Sequence, residues 1–252
     1  MTTTATREGK KTARTDRKRR KRPFRWLWLL FWACWFVVGF PLLQVVGVRF
    51  LNPPWTLLMG IRAVERRLHS GTPAPRLAYE WVRLKEVPED FLKSVWMMED
   101  QRFFDHDGFD WKEIETAMAD AKRTGKPVRG ASTISMQCAR SLFLWQGRSW
   151  IRKPLEAYYT MLMETVLTKR RILELYVNVI ETGDGIYGIE AAARNYYGKS
   201  ARDLTRAQSA MIAAILPAPR TWDPLHPTKR VERRQEIILH RIRDVSQEPW
   251  QQ

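Results

Sequence analysis

The apolar residues of this chain follow two different patterns. Residues 26–48 form one apolar run that contains no charged residue. From about residue 80 onward, apolar positions recur every three or four residues, which is the spacing of amphipathic helices. The alternation that marks half-buried strands does not extend over any useful length. The pattern therefore predicts a mainly α-helical domain that follows a single N-terminal transmembrane helix.

Capping signals set the bounds of the predicted helices. Asp110 and Glu113 form a capping-box-like pair before an apolar series that stops at Gly125. Ser132 or Thr133 is suited to begin the next helix. The predicted helices cover 61–68, 88–99, 111–124, 133–145, 151–167, 171–180, 189–197, 205–216 and 228–245. A short extended piece is expected over 79–84 and a turn over 183–188.

The apolar run 26–48 is long enough as a helix to cross a hydrocarbon core of about 30 Å. Eleven of the first 25 residues are basic, so the positive-inside rule predicts a cytoplasmic N-terminus and an extracytoplasmic (periplasmic) domain. A cleaved signal peptide is the alternative. The run exceeds a typical signal core and no small-residue cleavage site follows it, which favours an uncleaved anchor in the cytoplasmic (inner) membrane.

These signals divide the chain into five expected segments. They are a basic tail (1–25), the anchor (26–48), a juxtamembrane linker (49–80), a catalytic or binding domain (81–246) and a C-terminal tail (247–252). Leu142–Trp145 is apolar and aromatic, and it is equally suited to dip into a bilayer or to pack in the core.

Charge and metal-ligand content narrow the function. The formal net charge is +16, which favours polyanions or anionic lipid headgroups as partners. No zinc finger, basic zipper or aromatic RNA-binding signature is present, so nucleic acid is not expected. Cys34 and Cys138 lie far apart in the chain and are not expected to form a disulfide. The four His are scattered, so no zinc site is predicted.

Glu99 is the first candidate for chemistry. It continues the apolar stripe of Leu92, Val95 and Trp96 on one face of a predicted helix. A carboxylate at the end of such a stripe is expected to be partly desolvated, which raises its pKa and suits it to accept a proton near neutral pH. The alternative is an ordinary helix-end Glu that pairs with an Arg.

Glu156 is the second candidate. It shares a helix face with Arg152 and Lys153, which precede it by four and three residues. Taken alone, this group is more typical of a surface ion-pair cluster. Together with Arg140 and Arg148, however, it supplies cations suited to a phosphate or pyrophosphate.

A polar helix face lies between the two carboxylates in the sequence. Ser132 and Thr133 begin this helix, and Thr133, Gln137 and Arg140 lie opposite its apolar face. Amides and hydroxyls in a row suit a sugar. Two carboxylates, a sugar-binding face and clustered cations indicate chemistry on a glycosyl phosphate, and the anchor indicates a lipid-linked substrate.

Five ordered segments from 99 to 219 resemble the five motif blocks of the glycosyltransferase family 51 peptidoglycan polymerases, in their monofunctional biosynthetic form. The segments are EDQRFFDHDGFD, RGASTISMQ, RKPLE, KRRILELYVN with GDGIYGIEAAARNYYGK, and LTRAQSAMIAAILPAP. The likeness extends over roughly 87–242. It implies a lysozyme-like helical fold and the polymerisation of lipid II into glycan strands, with inversion and release of undecaprenyl pyrophosphate.

The resemblance also implies roles for the candidate residues. Glu99 would deprotonate the acceptor 4-hydroxyl, and Asp100 would be a supporting acid. Glu156 would assist departure of the pyrophosphate, directly or through a divalent cation such as Mg²⁺ or Mn²⁺. The donor pyrophosphate would be held by Arg140, Arg148, Arg152 and Lys153, and the cleft lined by Ser132, Thr133 and Gln137. Asn178 and Glu190 would be more structural than catalytic.

The sequence departs from the family pattern at two positions. Met136 replaces the first residue of a usual Gln pair, and Ser141 replaces the Asn of a usual Lys-Asn pair. Loss of the amide at 136 weakens any claim that this position contacts substrate. The implied partners are lipid II, the growing glycan, the membrane and other cell-wall synthesis or division proteins. A lytic glycosidase of the same fold and a non-catalytic lipid II-binding scaffold remain as alternatives.

Overall fold

The computed structural model describes residues 24–70, 77–126, 130–147, 149–243, 245 and 249–251. Chain contacts divide the protein into two compact units, 1–40 and 41–252. The helices are α1 (Phe24–Cys34), α2 (Phe40–Phe50), α3 (Leu57–Ser70), α4 (Glu89–Glu99), α5 (Trp111–Thr124), α6 (Ile134–Phe143), α7 (Arg152–Val166), α8 (Lys169–Val179), α9 (Gly188–Tyr197), α10 (Arg206–Ile215) and α11 (Lys229–Arg243). The strands are β1 (Ala78–Tyr79), β2 (Glu181–Gly183) and β3 (Ile186–Tyr187). Short 3₁₀ turns occupy Leu84–Glu86, Ala201–Asp203 and Pro249–Gln251.

The first unit contains α1, the first part of the apolar helical run. A π-helical turn, Trp35–Gly39, follows α1, and the amide of Phe40 donates to the carbonyl of Trp35. This wider turn comes just before Pro41, which has no N–H to continue the α-helical ladder. The helical run Trp26–Phe50 is long and apolar enough to cross a membrane. The predicted spanning helix is thus present, by length and composition.

The second unit is built almost entirely of helices, as the apolar spacing predicted. Helix α6 packs against α7 and α8, and α10 and α11 pack against each other and against α4. Among the side chains that close the core are the fully buried Tyr176, Phe91, Phe103, Ile134 and Met163. These contacts bring the end of α4, the start of α6 and one face of α11 together.

A three-stranded sheet, which the sequence did not predict, lies at the edge of this unit. Its order is β1-β3-β2, with β1 parallel and β2 antiparallel to β3. The strands have two or three residues each, too few for an alternation pattern to be recognised. The segment expected to be a turn, 183–188, therefore belongs to a hairpin, and β1 begins one residue before the predicted extended piece.

The predicted caps are confirmed. The Asp110 side chain accepts a hydrogen bond from the amide of Glu113, and Gly125 ends α5 in a left-handed conformation with φ of 67°. Thr133, rather than Ser132, is the N-cap of α6 and accepts from the amide of Met136. Helix α6 therefore begins next to the loop that follows Glu99.

The last turns of the apolar helix pack on the domain. Val45 is fully buried in the core, and the Tyr159 hydroxyl donates to Gln44 Oε1 at 2.6 Å. Arg49 Nη1 donates to the carbonyl of Val166 at 2.9 Å. The Arg171 guanidinium caps the end of the helix, because its Nε donates to the carbonyl of Val48 at 2.9 Å. Helix α2 is therefore fixed along α7 and α8 rather than attached only by a tether.

The two interpretations of Leu142–Trp145 are resolved in favour of the core. Leu142, Phe143 and Leu144 are buried, and the Phe143 ring stacks on Tyr159 with centroids 4.6 Å apart. Trp145 is half-buried against the same core. Burial of these side chains assigns the run to core packing.

Asn178 provides a test of this architecture. Its buried side-chain amide accepts from the amide of Val82 at 2.8 Å and donates to the carbonyls of Val82 and Glu174 at 2.9 and 2.8 Å. Replacing Asn178 by Ala leaves buried backbone groups of Val82 unpaired, so we expect the free energy of unfolding to fall by about 2–3 kcal/mol. Denaturant unfolding in detergent measures the change.

The matched control is Asn195→Ala. Asn195 is exposed, and among the described residues its side chain donates only to Ala191 on its own helix, so a change within about 0.5 kcal/mol is expected. Equal losses in the two variants would contradict a role for Asn178 in holding the Val82 segment.

Candidate active site

A cleft of about 660 Å³ opens beside the end of α4. Its walls come from the end of α4, the loop after it, the segment that leads into α6, and α11. Five of the predicted site residues line it, namely Glu99, Asp100, Ser132, Thr133 and Gln137. The fold therefore brings these five sequence-predicted residues together in one cleft.

Glu99 is the last residue of α4 and points into this cleft. Its side chain is 15% exposed, so it is partly desolvated as its place on the apolar stripe predicted. Gln137 Nε2 donates to its Oε2 at 3.1 Å, and Arg234 Nη2 donates to its Oε1 at 3.1 Å. A carboxylate offers about four acceptor positions, so each oxygen still has one for a substrate hydroxyl.

A buried tyrosine fixes the amide that faces Glu99. The Tyr176 hydroxyl donates to Gln137 Oε1 at 3.3 Å, which turns Gln137 Nε2 toward the carboxylate. Burial, with a further contribution from the charge of Glu99, raises the pKa of Tyr176 well above its ordinary value. The hydroxyl therefore keeps its proton, and the Tyr176–Gln137–Glu99 chain has one hydrogen-bond direction.

Asp100 lines the cleft, but its carboxylate accepts hydrogen bonds from protein groups. Its side chain is 2% exposed and accepts from His106 Nε2 at 3.0 Å and from the amide of Ile134 at 3.0 Å. The amide of Gly108 donates to His106 Nδ1 at 3.1 Å, which leaves the His106 proton on Nε2. His106 therefore hydrogen-bonds within its own loop, and Asp100 connects that loop to the start of α6. The role of Asp100 as a supporting acid stays a prediction.

Ser132 and Thr133 occupy different environments. Thr133 is buried, and besides capping α6 it donates to the carbonyl of Gly108 at 2.6 Å. Ser132 is half-buried and accepts from Lys153 Nζ at 3.4 Å. Ser132 is thus the link between the cleft and the second carboxylate.

Glu156 lies beneath three cations and is fully buried. Arg152 donates to its Oε2, Lys153 Nζ donates to its Oε1 at 2.6 Å, and Arg140 Nη1 lies 3.8 Å from Oε2. The Lys153 side chain is 51% exposed, and Arg140 Nε has no hydrogen-bond partner among the described residues. One carboxylate among three cations leaves a net positive cluster with donors to spare.

Three further expected positions have different outcomes. Arg148 lies outside the described residues, so its assignment stays a prediction. Met136 is buried and is not part of the cleft wall. Ser141 is buried, and its hydroxyl donates to the carbonyl of Gln137 at 2.9 Å. Both departures from the family pattern therefore lie in the packing of α6.

Arg234 was missed by the sequence reasoning. It projects from α11 into the cleft, where it pairs with Glu99. The signal was present, because Arg234 falls on the stripe of Val231, Ile238 and Ile242 that buries α11. A charged residue on a buried stripe indicates a specific partner, by the same logic that selected Glu99.

The described residues contain no group of three His, Cys, Asp or Glu arranged to hold a metal ion. The oxygens of Glu156 are held by cationic side chains, and those of Glu99 by Gln137 and Arg234. This donor set does not fit a resident divalent cation, and no step below depends on one.

Comparison of the sequence with known proteins identifies the family of this chain. The sequence profile of the Transglycosylase family matches residues 69–243. The chain belongs to the transglycosylase family. Similar relatives include the biosynthetic peptidoglycan transglycosylase of Xanthomonas campestris pv. campestris, 45% identical over 238 residues that span 93% of each chain. The protein of that name from Shewanella oneidensis is 40% identical over 227 residues, which span 90% of this chain and 94% of the relative.

Membership confirms the resemblance drawn from the five motif blocks. It also confirms the expected fold, since transglycosylase domains are lysozyme-like and helical. The matched residues lie within the second unit, and the protein is an enzyme that transfers glycosyl groups.

The Arg234–Glu99 pair generates a prediction. Replacing Arg234 by Gln removes a charged hydrogen-bond donor from the candidate base, so we expect the glycosyl-transfer rate to fall about 10- to 100-fold, on the scale of a charged hydrogen bond. Steady-state kinetics measures the change. Arg233→Gln is the control, because Arg233 is adjacent in the chain but exposed. A similar loss in both variants would show that the general charge of α11, not the contact with Glu99, matters.

Proposed function

We propose that this protein is a peptidoglycan glycosyltransferase that polymerises lipid II into glycan strands during cell-wall biosynthesis. The anchor holds it in the cytoplasmic membrane with its N-terminus inside, and the domain acts on the extracytoplasmic face. The reaction joins the growing strand to a new lipid II with inversion and releases undecaprenyl pyrophosphate. The observation that carries the proposal is the placement of Glu99 in a cleft whose wall residue Ser132 is hydrogen-bonded to Lys153 of the cation cluster.

Glu99 supplies the chemistry of the attacking group. A pyrophosphate is already a good leaving group, so activating the acceptor hydroxyl is the more demanding task. Glu99 takes the proton of the acceptor's 4-hydroxyl while the oxygen of that hydroxyl bonds to the donor's anomeric carbon. The bond from the anomeric carbon to the pyrophosphate oxygen breaks in the same step. Gln137 and Arg234 hold the carboxylate in place for this transfer.

The cation cluster acts on the leaving group. Negative charge grows on the pyrophosphate as its bond to the sugar breaks, and fixed cations stabilise that charge. Arg140, Arg152 and Lys153 retain donors beyond those given to Glu156. Glu156 is then the residue that gathers the cations and holds them at the right spacing.

A lytic glycosidase would use the site differently. It would need an acid to protonate a poor leaving oxygen and a second carboxylate open to water or to the sugar. Glu156 is fully buried beneath its cations and offers neither. The cations would also have no evident task in that reaction.

The test is polymerisation of lipid II by the full-length protein in detergent. Wild type is expected to yield long strands that lysozyme digests, and Glu99→Gln to reduce the rate at least about 100-fold, as expected when a general base is removed. The control is Glu89→Gln, at the exposed opposite end of α4, which is expected to stay near wild type.

Three outcomes would contradict the proposal. Near-normal rates in the Glu99 variant would remove the base assignment. Absence of polymer from wild type, together with release of soluble muropeptides from isolated sacculi, would establish the lytic reaction instead. Binding of lipid II without turnover would establish the scaffold.

A further inference from the structure

A tryptophan beyond α11 belongs to the hydrophobic core. Trp250 lies in the short 3₁₀ turn Pro249–Gln251, within the segment expected to be a C-terminal tail, yet it is only 4% exposed. It also lies outside residues 69–243, which the family profile matches. Arg170, near the start of α8, donates from Nη1 to the carbonyl of Trp250 at 3.1 Å. The turn is therefore fixed on the domain by its buried ring and by its backbone.

The ring of Trp250 meets helix α4 at Trp96. The two rings are edge to face, with centroids 5.9 Å apart, which is a favourable distance for an aromatic pair. Trp96 makes a second such contact with Phe104 at 6.0 Å, and Phe104 a third with Phe103 at 4.9 Å. Among the described residues, the buried Nε1 of Trp96 has no hydrogen-bond partner, so packing sets the position of this ring.

These aromatic contacts support the part of the chain that carries the candidate base. Trp96 lies one helical turn before Glu99 on α4, and side chains three residues apart share a helix face. The carbonyl of Trp96 accepts from the amide of Asp100 at 3.1 Å, which is the hydrogen bond that closes α4. Phe104 lies in the loop that follows. Trp250 therefore packs against the turn that ends in Glu99.

A shift of this turn would carry Glu99 away from its partners. The Glu99 carboxylate accepts from Gln137 on α6 and from Arg234 on α11, each at 3.1 Å. This distance is close to about 3.2 Å, the upper end of the ordinary range for such bonds. Since both donors belong to other helices, a movement of α4 by about 0.5 Å is enough to disturb them.

We propose that Trp250 is a positioning residue for Glu99. It holds the last turn of α4 through Trp96, and the Glu99 carboxylate thereby stays aligned with Gln137 and Arg234. Trp250 is not among the residues that line the cleft, so it acts without touching the substrate. This inference rests on the base assignment in the proposed function. The alternative is ordinary core packing, which would affect stability but not the transfer step in particular.

Replacing Trp250 by Leu in the full-length protein tests the contact, because leucine fills apolar space but has no ring edge. Lipid II polymerisation is measured at a temperature where thermal unfolding shows every variant to be folded. We expect kcat to fall about tenfold with KM within about twofold, as for a misplaced catalytic group. Trp250→Phe retains an aromatic ring and is expected to restore kcat to within about twofold of wild type.

The matched control is Trp81→Leu. Trp81 is half-buried against the same core, and its ring lies under the guanidinium of Arg171, 5.3 Å from the centroid. This variant is expected to keep kcat within about twofold of wild type. Equal losses of kcat in the two Leu variants would show a general effect on the core and would overturn the positioning role.

A double-mutant cycle separates an effect on Glu99 from an effect on folding or binding. In the Glu99→Gln background, adding Trp250→Leu is expected to change the residual rate by less than about twofold, because the base that Trp250 positions is already absent. A further tenfold loss would show that Trp250 acts independently of Glu99 and would contradict the proposal.

Amide hydrogen exchange reports on the same turn without any turnover. Exchange of residues 96–104 in detergent is expected to be at least about threefold faster in Trp250→Leu than in wild type, and unchanged in Trp81→Leu. Should Trp250→Leu not fold, Arg170→Ala provides the same readouts, since Arg170 is exposed and its loss frees the Trp250 carbonyl without changing the core. Unchanged exchange and kcat in that variant would then refute the proposal.

The outcomes also separate this role from the proposed function. Near-normal rates in Glu99→Gln would remove the base assignment itself. Unchanged kcat and exchange in Trp250→Leu, with Glu99→Gln inactive, would overturn only the role of Trp250.

Discussion

The Asp100 carboxylate joins the loop after α4 to the start of α6. One side chain, almost fully withdrawn from water, accepts from the ring of His106 and from the amide of Ile134. His106 in turn accepts from Gly108, whose carbonyl is bound by Thr133. Glu99 precedes Asp100 and Gln137 lies on α6, so the geometry between base and amide depends on this connection.

The two candidate carboxylates, Glu99 and Glu156, have opposite environments in the fold. Glu99 is left partly open, with one donor on each oxygen, and retains capacity to accept a proton. Glu156 is closed off and saturated by cations. Burial of an ion pair contributes little stability by itself, since desolvation offsets the attraction. In the proposed function, Glu156 keeps like charges together at the place where the pyrophosphate binds.

Much of this could be read from sequence because local rules governed it. The helix caps at Asp110, Gly125 and Thr133 depend on contacts within a few residues. Glu99 could be selected because it continues an apolar stripe. The small sheet could not be predicted, since its strands are too short for periodicity and β1 pairs with β3 across about a hundred residues. The partners of Asp100 and the burial of Glu156 also depend on tertiary packing. Arg234 could have been predicted, because it interrupts the apolar stripe of α11 as Glu99 interrupts that of α4.

The packing of α2 has a practical consequence for handling the protein. Val45 belongs to the hydrophobic core, and Arg171 satisfies the carbonyl of Val48 at the end of the apolar helix. Removing the entire apolar run to obtain a soluble enzyme would therefore open a cavity in the domain. It would also leave the Tyr159 hydroxyl without Gln44 and the Arg171 Nε without the carbonyl of Val48. A truncation placed before Pro41 would keep these contacts. The short apolar segment that remains at the N-terminus would still require detergent. The folded domain begins inside the hydrophobic run, before the point where a hydropathy profile would place its boundary.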